Sequence, residues 1–170
     1  DIECKRLGCI IPLEKTMSDK ETYIKRYETA RAEMREIVKL AQGNQTIYQP
    51  WRMKEVLDHI TGWDDAVIAS IKSFLAGDIP ATPASRGIDA YNVETVTSRE
   101  AIPYEVTQRE WEASRVELLG LMQKMTDEQL HTPFGFPWGG QGTIEDLVEI
   151  FTEHEETHAK EIREIIEKGK

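Results

Sequence analysis

The chain has 170 residues, and its 21 Lys and Arg against 31 Asp and Glu give a net charge of −10 with neutral histidine. This length can form one domain with its own core, and 39% hydrophobic residues exclude a disordered chain. The acidic balance argues against nucleic acid or an anionic membrane as the main partner, because both bind through clustered Lys and Arg. We therefore expect no nucleic acid and no membrane among its partners.

The N-terminal segment differs from the rest of the chain in its cysteine content. Cys4 and Cys9 both lie within residues 1–16, ahead of Met17, and no other cysteine follows. Cysteines confined to one end are not typical of a secreted disulfide scaffold, and no signal peptide or span of about 18 apolar residues is present. We interpret residues 1–16 as an extension, residues 17–170 as a single domain, and the location as cytoplasmic.

Four long helical segments follow one another along the domain. Their N-cap and breaker residues predict helices from Ser18, with Glu21 at the capping-box position, to Ala41; from Pro50 to Ala76; from Pro103 to Met125; and from Thr143 to Lys168. A connection of unusual length, residues 77–102, joins the second and third helices. The pattern predicts an all-α fold, an antiparallel four-helix bundle with one long crossover between helices 2 and 3.

The fourth helix carries two histidines one turn apart. At 100° per residue, His154 and His158 fall on the same apolar stripe as Leu147, Phe151 and Ile162. Two imidazoles at i and i+4 suit chelation of one metal ion. The alternative is a pair of neutral, hydrogen-bonded core histidines without a metal.

A third histidine, His59, lies at the edge of the apolar stripe of the second helix, beside Val56 and Trp63. Three neutral imidazoles from two helices, with a further position open, form the arrangement of a catalytic zinc-type site. The alternative for His59 alone is a boundary residue with a surface hydrogen bond. His131, in a loop beside Pro133, is expected at the surface or in a pocket rather than among the ligands.

Residues 154–158 also match the H-E-x-x-H motif of zinc proteases, in which Glu155 would be the general base. We reject this interpretation, because no third ligand follows His158 and no substrate-aligning edge strand is predicted. Glu155, Glu161 and Asp64 remain candidates for orienting an imidazole or for acid–base chemistry. The alternatives are a solvated acidic face for the two glutamates and a helix–helix hydrogen bond for Asp64.

Four segments together resemble the DinB-like (DinB/YfiT-like) metalloenzyme superfamily: residues 51–64, which end in His59-Ile-Thr-Gly-Trp63-Asp64; residues 87–92; residues 137–143; and the His154–His158 pair. The resemblance extends over most of residues 18–168. It implies a divalent metal, zinc or nickel above all, held by His59, His154 and His158, and it implies a homodimer. It also implies a choice of chemistry, since related members include transferases that use bacillithiol or mycothiol as a thiol cosubstrate, an isomerase and a hydrolase.

The resulting hypothesis is a divalent-metal-dependent enzyme, a hydrolase or a thiol S-transferase, that acts on a small electrophilic molecule as its substrate. We expect the pocket wall to contain Trp63, Tyr91, Asn92, Phe136 and Trp138, although these aromatic side chains would also serve to pack loops over the bundle end. The alternative function is a non-catalytic protein that binds metal or sequesters a small molecule. An open coordination position beside a pocket would distinguish the enzyme from a closed storage site.

Overall fold

The structure, a computed structural model, describes residues 17–169, so Cys4, Cys9 and the expected N-terminal extension lie outside the described residues. In chain order its elements are α1 (Asp19–Leu40), β1 (Thr46–Tyr48), β2 (Trp51–Arg52), α2 (Met53–Ala76), α3 (Ile88–Ser98), α4 (Tyr104–Lys124), α5 (Asp127–His131), β3 (Phe134–Gly135), β4 (Gln141–Gly142) and α6 (Ile144–Lys168). The long helices α1, α2, α4 and α6 form the bundle, which confirms the predicted all-α four-helix bundle with a long crossover between its second and third helices. No helix within residues 17–169 is long and apolar enough to cross a membrane.

Side-chain caps set the starts of α1 and α6 where the sequence predicts them. The Ser18 hydroxyl accepts from the Glu21 backbone N–H, and the Glu21 carboxylate accepts from the Ser18 backbone N–H at 2.9 Å. Thr143 and Asp146 form the same reciprocal pair at the start of α6. These bonds satisfy N–H groups that the first helical turn leaves without partners.

The second long helix begins at Met53 rather than at Pro50. Trp51 and Arg52 instead pair with Tyr48 and Thr46 in a short antiparallel hairpin. Strands of two and three residues are too short to produce an alternating sequence pattern, so the sequence did not predict this hairpin or the one formed by β3 and β4. The first hairpin packs at the N-terminal end of α2 and presents Tyr48 and Trp51 to the histidine cluster.

The long crossover returns the chain to the end of the bundle where α2 begins. As a result α2 and α4 run in the same direction, with Asp58 contacting Thr107 and Asp64 contacting Ser114 further along. The α6 helix runs opposite to α2, because His59 meets His154 while Trp63 meets the earlier residue Phe151. This arrangement brings the histidines of α2 and α6 to the same level of the bundle.

The crossover contains an eleven-residue helix, α3, which the sequence pattern did not predict. Thr95 is its only buried residue, so α3 lacks the apolar stripe that identifies an amphipathic helix. It packs on α2 at Gly62, where an added Cβ would collide with the Thr95 side chain. Close approach at Gly62 therefore places α3 beside the histidine cluster, with Ile88 and Asn92 facing it.

Candidate metal centre

Three histidines from two helices converge at one point of the bundle. Nε2 of His154 lies 3.0 Å from Nε2 of His59 and 3.0 Å from Nε2 of His158. In residues 17–169 these three form the one group of His, Cys, Asp and Glu side chains whose arrangement could hold a metal ion. His59 is buried, and His154 and His158 are partly buried. The structure thus brings together the three residues that the sequence nominates as ligands.

The environment keeps these imidazoles neutral. Burial lowers the pKa of His59 to about 3, with smaller contributions from His154 and His158, and burial together with His154 lowers the pKa of His158 to about 3. Burial also lowers the pKa of His154. Neutral imidazole is the form that binds metal ions, because the nitrogen lone pair is free.

The three nitrogens are arranged better for binding a divalent cation than for hydrogen-bonding to one another. Nε2 of a neutral imidazole either donates one hydrogen bond or accepts, so His154 cannot make a full N–H···N bond to His59 and to His158 at once. A single cation accepts all three lone pairs. In a tetrahedral site with metal–nitrogen bonds of about 2.0–2.1 Å the ligand nitrogens are about 3.3 Å apart, close to the 3.0 Å from His154 to each of the other two.

Tyr48 and Glu161 support His158 from the side away from the cluster. The Tyr48 hydroxyl donates to the Glu161 carboxylate at 2.6 Å and lies 2.9 Å from Nδ1 of His158. Burial, and next the bond to Glu161, raise the pKa of Tyr48, so its hydroxyl keeps its proton at neutral pH. Glu161, a candidate from the sequence, thus contacts the site through Tyr48, which the sequence did not nominate.

Asp64 and Glu155, the other two candidate carboxylates, lie in a buried ion cluster below the histidines. Arg31 donates to Asp64 at 2.8 Å and to Glu155 at 2.6 Å, while Arg115 forms ion pairs with Asp64 at 3.0 Å and with Glu155 at 2.8 Å. Burial alone would raise the pKa of Asp64, but the two guanidinium groups outweigh it and lower that pKa. Both carboxylates therefore pair with the guanidinium groups of Arg31 and Arg115 instead of accepting a hydrogen bond from an imidazole.

A cavity of about 610 Å³ opens beside the histidine cluster. Trp63, Asn92 and Trp138 line it as expected, whereas two of the expected wall residues do not. Phe136 is buried behind Trp138, and Tyr91 packs behind Trp63 and donates its hydroxyl to the Gly62 carbonyl at 2.8 Å. Both side chains therefore pack the wall from behind.

Sequence reasoning missed several lining residues: Trp51, Ile88, Ile150, Phe151 and Thr157. Position on α6 could have identified Phe151, one turn before His154 on the same stripe. Trp51 and Ile88 carry no such signal, because the hairpin and α3 bring them to the site. His131 is exposed, as expected for a residue outside the cluster, and hydrogen-bonds to Asp19.

Solved structures of three other proteins share this fold. The colibactin self-resistance protein ClbS, in complex with a dsDNA, matches at 13% identity and a TM-score of 0.74, over 88% of this chain and 96% of ClbS. The mycothiol-dependent maleylpyruvate isomerase matches at 9% identity and a TM-score of 0.71, over 85% of this chain but 61% of the isomerase. YfiT from Bacillus subtilis, described as a probable metal-dependent hydrolase with an unusual four-helix bundle topology, matches at 18% identity and a TM-score of 0.64, over 91% and 90%.

The net charge led us to expect no nucleic acid among the partners. That prediction is wrong, because a protein of this fold binds DNA. ClbS has the same fold and is crystallised with double-stranded DNA. A net charge sums over the whole surface, so it does not describe the local surface or the bound groups that meet a partner. The value of −10 therefore does not exclude a class of partner.

Comparison with models of sequence families identifies the family of this chain. Curated protein sequences give no match. A family model described as the DinB superfamily matches residues 26–162, which include the three histidines, the first hairpin and the crossover helix. This chain belongs to the DinB superfamily.

Proposed function

We propose that the chain is a divalent-metal-dependent enzyme, of hydrolase or thiol S-transferase type, that acts on a small electrophilic molecule. His59, His154 and His158 would hold the metal, with zinc or nickel as the leading candidates. The observation that supports this most strongly is the convergence of three neutral imidazole nitrogens at the wall of a cavity large enough for a small molecule.

Each group of residues at the site would have its own role in the reaction. The three imidazoles hold the ion, and Tyr48 with Glu161 orients His158. The aromatic wall around Trp63 and Trp138 would give the substrate an apolar surface to pack against. A divalent ion held here would supply Lewis-acid activation of a water or of a thiol cosubstrate.

Catalysis is better supported than storage or sequestration. Three protein ligands leave a coordination position free, and the cavity lies directly beside them. Among proteins of the same fold, one is described as a probable metal-dependent hydrolase and another as a mycothiol-dependent isomerase. These two relatives support keeping both water and a low-molecular-weight thiol as the second reactant.

Metal analysis of protein purified without a histidine tag tests the proposal. We expect about one zinc or nickel ion per chain after reconstitution, and far less in the His154→Ala and His158→Ala variants. His131→Ala is the matched control, because His131 is an exposed histidine outside the cluster. Substoichiometric metal in the unmutated protein would contradict the proposal.

The reaction type is tested with the metal-loaded protein and one model electrophile. Rates are compared with water alone and with added bacillithiol, mycothiol or glutathione. A metal-dependent rate that needs a thiol supports the transferase, and a rate with water alone supports the hydrolase. No metal-dependent rate with any of them would favour the sequestering alternative.

A further inference from the structure

The cavity beside the histidines has walls without charged side chains. Among the described residues, its lining contains no Asp, Glu, Lys or Arg; it consists of Trp51, His59, Trp63, Ile88, Asn92, Trp138, Ile150, Phe151, His154, Thr157 and His158. Charged residues make up 31% of the whole chain, so the wall differs from the average composition of the chain. The composition of the wall therefore carries information about what the cavity accepts.

Aromatic rings form two sides of the cavity. Trp63, Trp138 and Phe151 contact one another with ring centroids 5.9–6.2 Å apart. Trp51 packs against the imidazole of His59 at 5.1 Å. Such surfaces favour flat, apolar ligands, because aromatic rings pair at centroid distances of about 4.5–7 Å.

The rim of the cavity is also apolar. Ile88 on α3 is 53% exposed and Ile150 on α6 is 42% exposed, although both are large hydrophobic residues. Both line the cavity, so a ligand that fills it would cover them.

Besides the histidines, the polar side chains of the wall are those of Asn92 and Thr157, and neither carries a charge that would pair with an anion. The Trp63 indole N–H already donates to Oδ1 of Asn92 at 2.8 Å, which leaves the Asn92 amide N–H groups as neutral donors. A carboxylate or phosphate held away from the histidines would lose its hydration without gaining a cationic partner.

We propose that the cavity selects an uncharged, flat, largely apolar substrate, of the size of one or two aromatic rings, with its reactive group directed at the three histidines. Substrates or thiols that place a carboxylate or phosphate in the body of the cavity are excluded. This inference rests on the proposed function for the reaction, but the selectivity belongs to the cavity walls and can be measured without metal.

The first experiment uses the metal-free protein and tryptophan fluorescence, because three of the four tryptophans line the cavity. Binding of 2-naphthol is compared with binding of 6-hydroxy-2-naphthoate at pH 7.5. We expect 2-naphthol to bind at least about tenfold more tightly, since the carboxylate must be desolvated without a partner. Equal or tighter binding of the naphthoate would overturn the inference.

A charge introduced at the rim gives a matched pair of variants on one helix. Ile88→Lys puts a cation at the cavity, whereas Val93→Lys puts one at an exposed α3 position outside the lining. Ile88→Lys should reduce the preference for 2-naphthol by about two- to fivefold, and Val93→Lys should leave it unchanged. Equal effects of the two variants would contradict an assignment to this cavity.

The second experiment uses the zinc-loaded protein and two ligands with the same metal-binding group. Benzohydroxamate should bind about three- to tenfold more tightly than 4-carboxybenzohydroxamate, because they differ only in a carboxylate at the far end and the charge of the zinc offsets part of its desolvation cost. Equal affinity would overturn the inference while leaving the metal site intact. Failure to load zinc would contradict the proposed function, and the naphthol comparison would then decide the inference alone.

Discussion

The Tyr48 hydroxyl lies 2.9 Å from Nδ1 of His158 while it donates its own proton to Glu161 at 2.6 Å. A tyrosine hydroxyl has a single proton, and an ionised carboxylate can only accept, so the Tyr48 oxygen must accept from His158. Nδ1 of His158 therefore carries the hydrogen. The lone pair of this imidazole is then on Nε2, which is the atom that faces His154 and His59.

Removing this hydrogen bond should weaken metal binding. Tyr48→Phe leaves His158 free to rotate and to change tautomer, and we expect the zinc affinity to fall about 10- to 100-fold. Competition with a chromogenic chelator measures the change.

Tyr104→Phe is the matched control for Tyr48→Phe, because the buried Tyr104 hydroxyl has no hydrogen-bond partner among the described residues. Its zinc affinity should equal that of the unmutated protein. Nitrogen-15 NMR of the metal-free protein adds an independent readout: His158 should carry its hydrogen on Nδ1, and Tyr48→Phe should produce a mixture of tautomers. Unchanged affinity and an unchanged spectrum in Tyr48→Phe would rule out the positioning role.

The buried histidines should make the metal-free protein sensitive to acid. The pKa of His59 and of His158 falls from 6.5 to about 3 on folding, so below pH 6.5 the unfolded chain takes up protons that the folded chain does not. The contribution of these two histidines to the folding stability is thus fully present above about pH 6.5 and is lost as the pH falls toward 3. The free energy of unfolding should fall by up to about 1.4 kcal/mol per pH unit for each of the two histidines.

Urea denaturation of the metal-free protein between pH 7.5 and pH 4.5 measures this dependence. His158→Gln removes one of the three histidines whose pKa burial lowers, so its stability should change less steeply with pH. His131→Gln is the control, because its imidazole is exposed, and it should retain a slope close to that of the unmutated protein in the lower part of this range. A slope in His158→Gln as steep as in the unmutated protein would contradict the assignment.

Glu155 should matter for stability rather than for metal binding. Glu155→Ala leaves Arg31 and Arg115 with Asp64 as the single remaining carboxylate of the buried cluster. Loss of one partner from a buried charge network costs about 3–5 kcal/mol of unfolding free energy. Urea denaturation measures this loss, and zinc stoichiometry of the folded variant should stay unchanged.

The control for Glu155 is Glu117→Ala, which removes an exposed pair with Lys72 between α4 and α2. Exposed ion pairs contribute about 0–1 kcal/mol, so the free energy of unfolding should change little. If Glu155→Ala does not fold, Glu155→Gln is measured instead. It keeps the side-chain volume, and we expect it to lower the free energy of unfolding by a smaller amount. A variant of normal stability that fails to bind zinc would make Glu155 part of the metal centre instead.

Gly62 should be required for the position of α3. A methyl group at this position collides with Thr95, so Gly62→Ala must move α3 and with it Asn92 and Ile88. We expect the free energy of unfolding of Gly62→Ala to fall by about 1–3 kcal/mol. The double variant with Thr95→Gly should recover part of it, and full additivity of the two substitutions would contradict the contact.

Local sequence features predicted the bundle and the three histidines, because caps, helical stripes and i, i+4 spacing all depend on residues within a few turns. The capping box at Ser18 and the shared stripe of His154 and His158 are examples. What the sequence did not predict depends on residues far apart in the chain. Tyr48 and His158 are 110 positions apart, and Arg31 and Glu155 are 124 apart. The helix α3 was missed because only Thr95 of its residues is buried.

X-ray absorption spectroscopy of the zinc-loaded protein tests the central claim most directly. The three-histidine centre predicts imidazole nitrogen neighbours at about 2.0–2.1 Å and their characteristic outer-shell scattering, which should be weakened in His59→Ala and unchanged in His131→Ala. Sulfur neighbours at about 2.3 Å would assign the metal to Cys4 and Cys9 instead. That result, or the absence of imidazole scattering, would contradict the account.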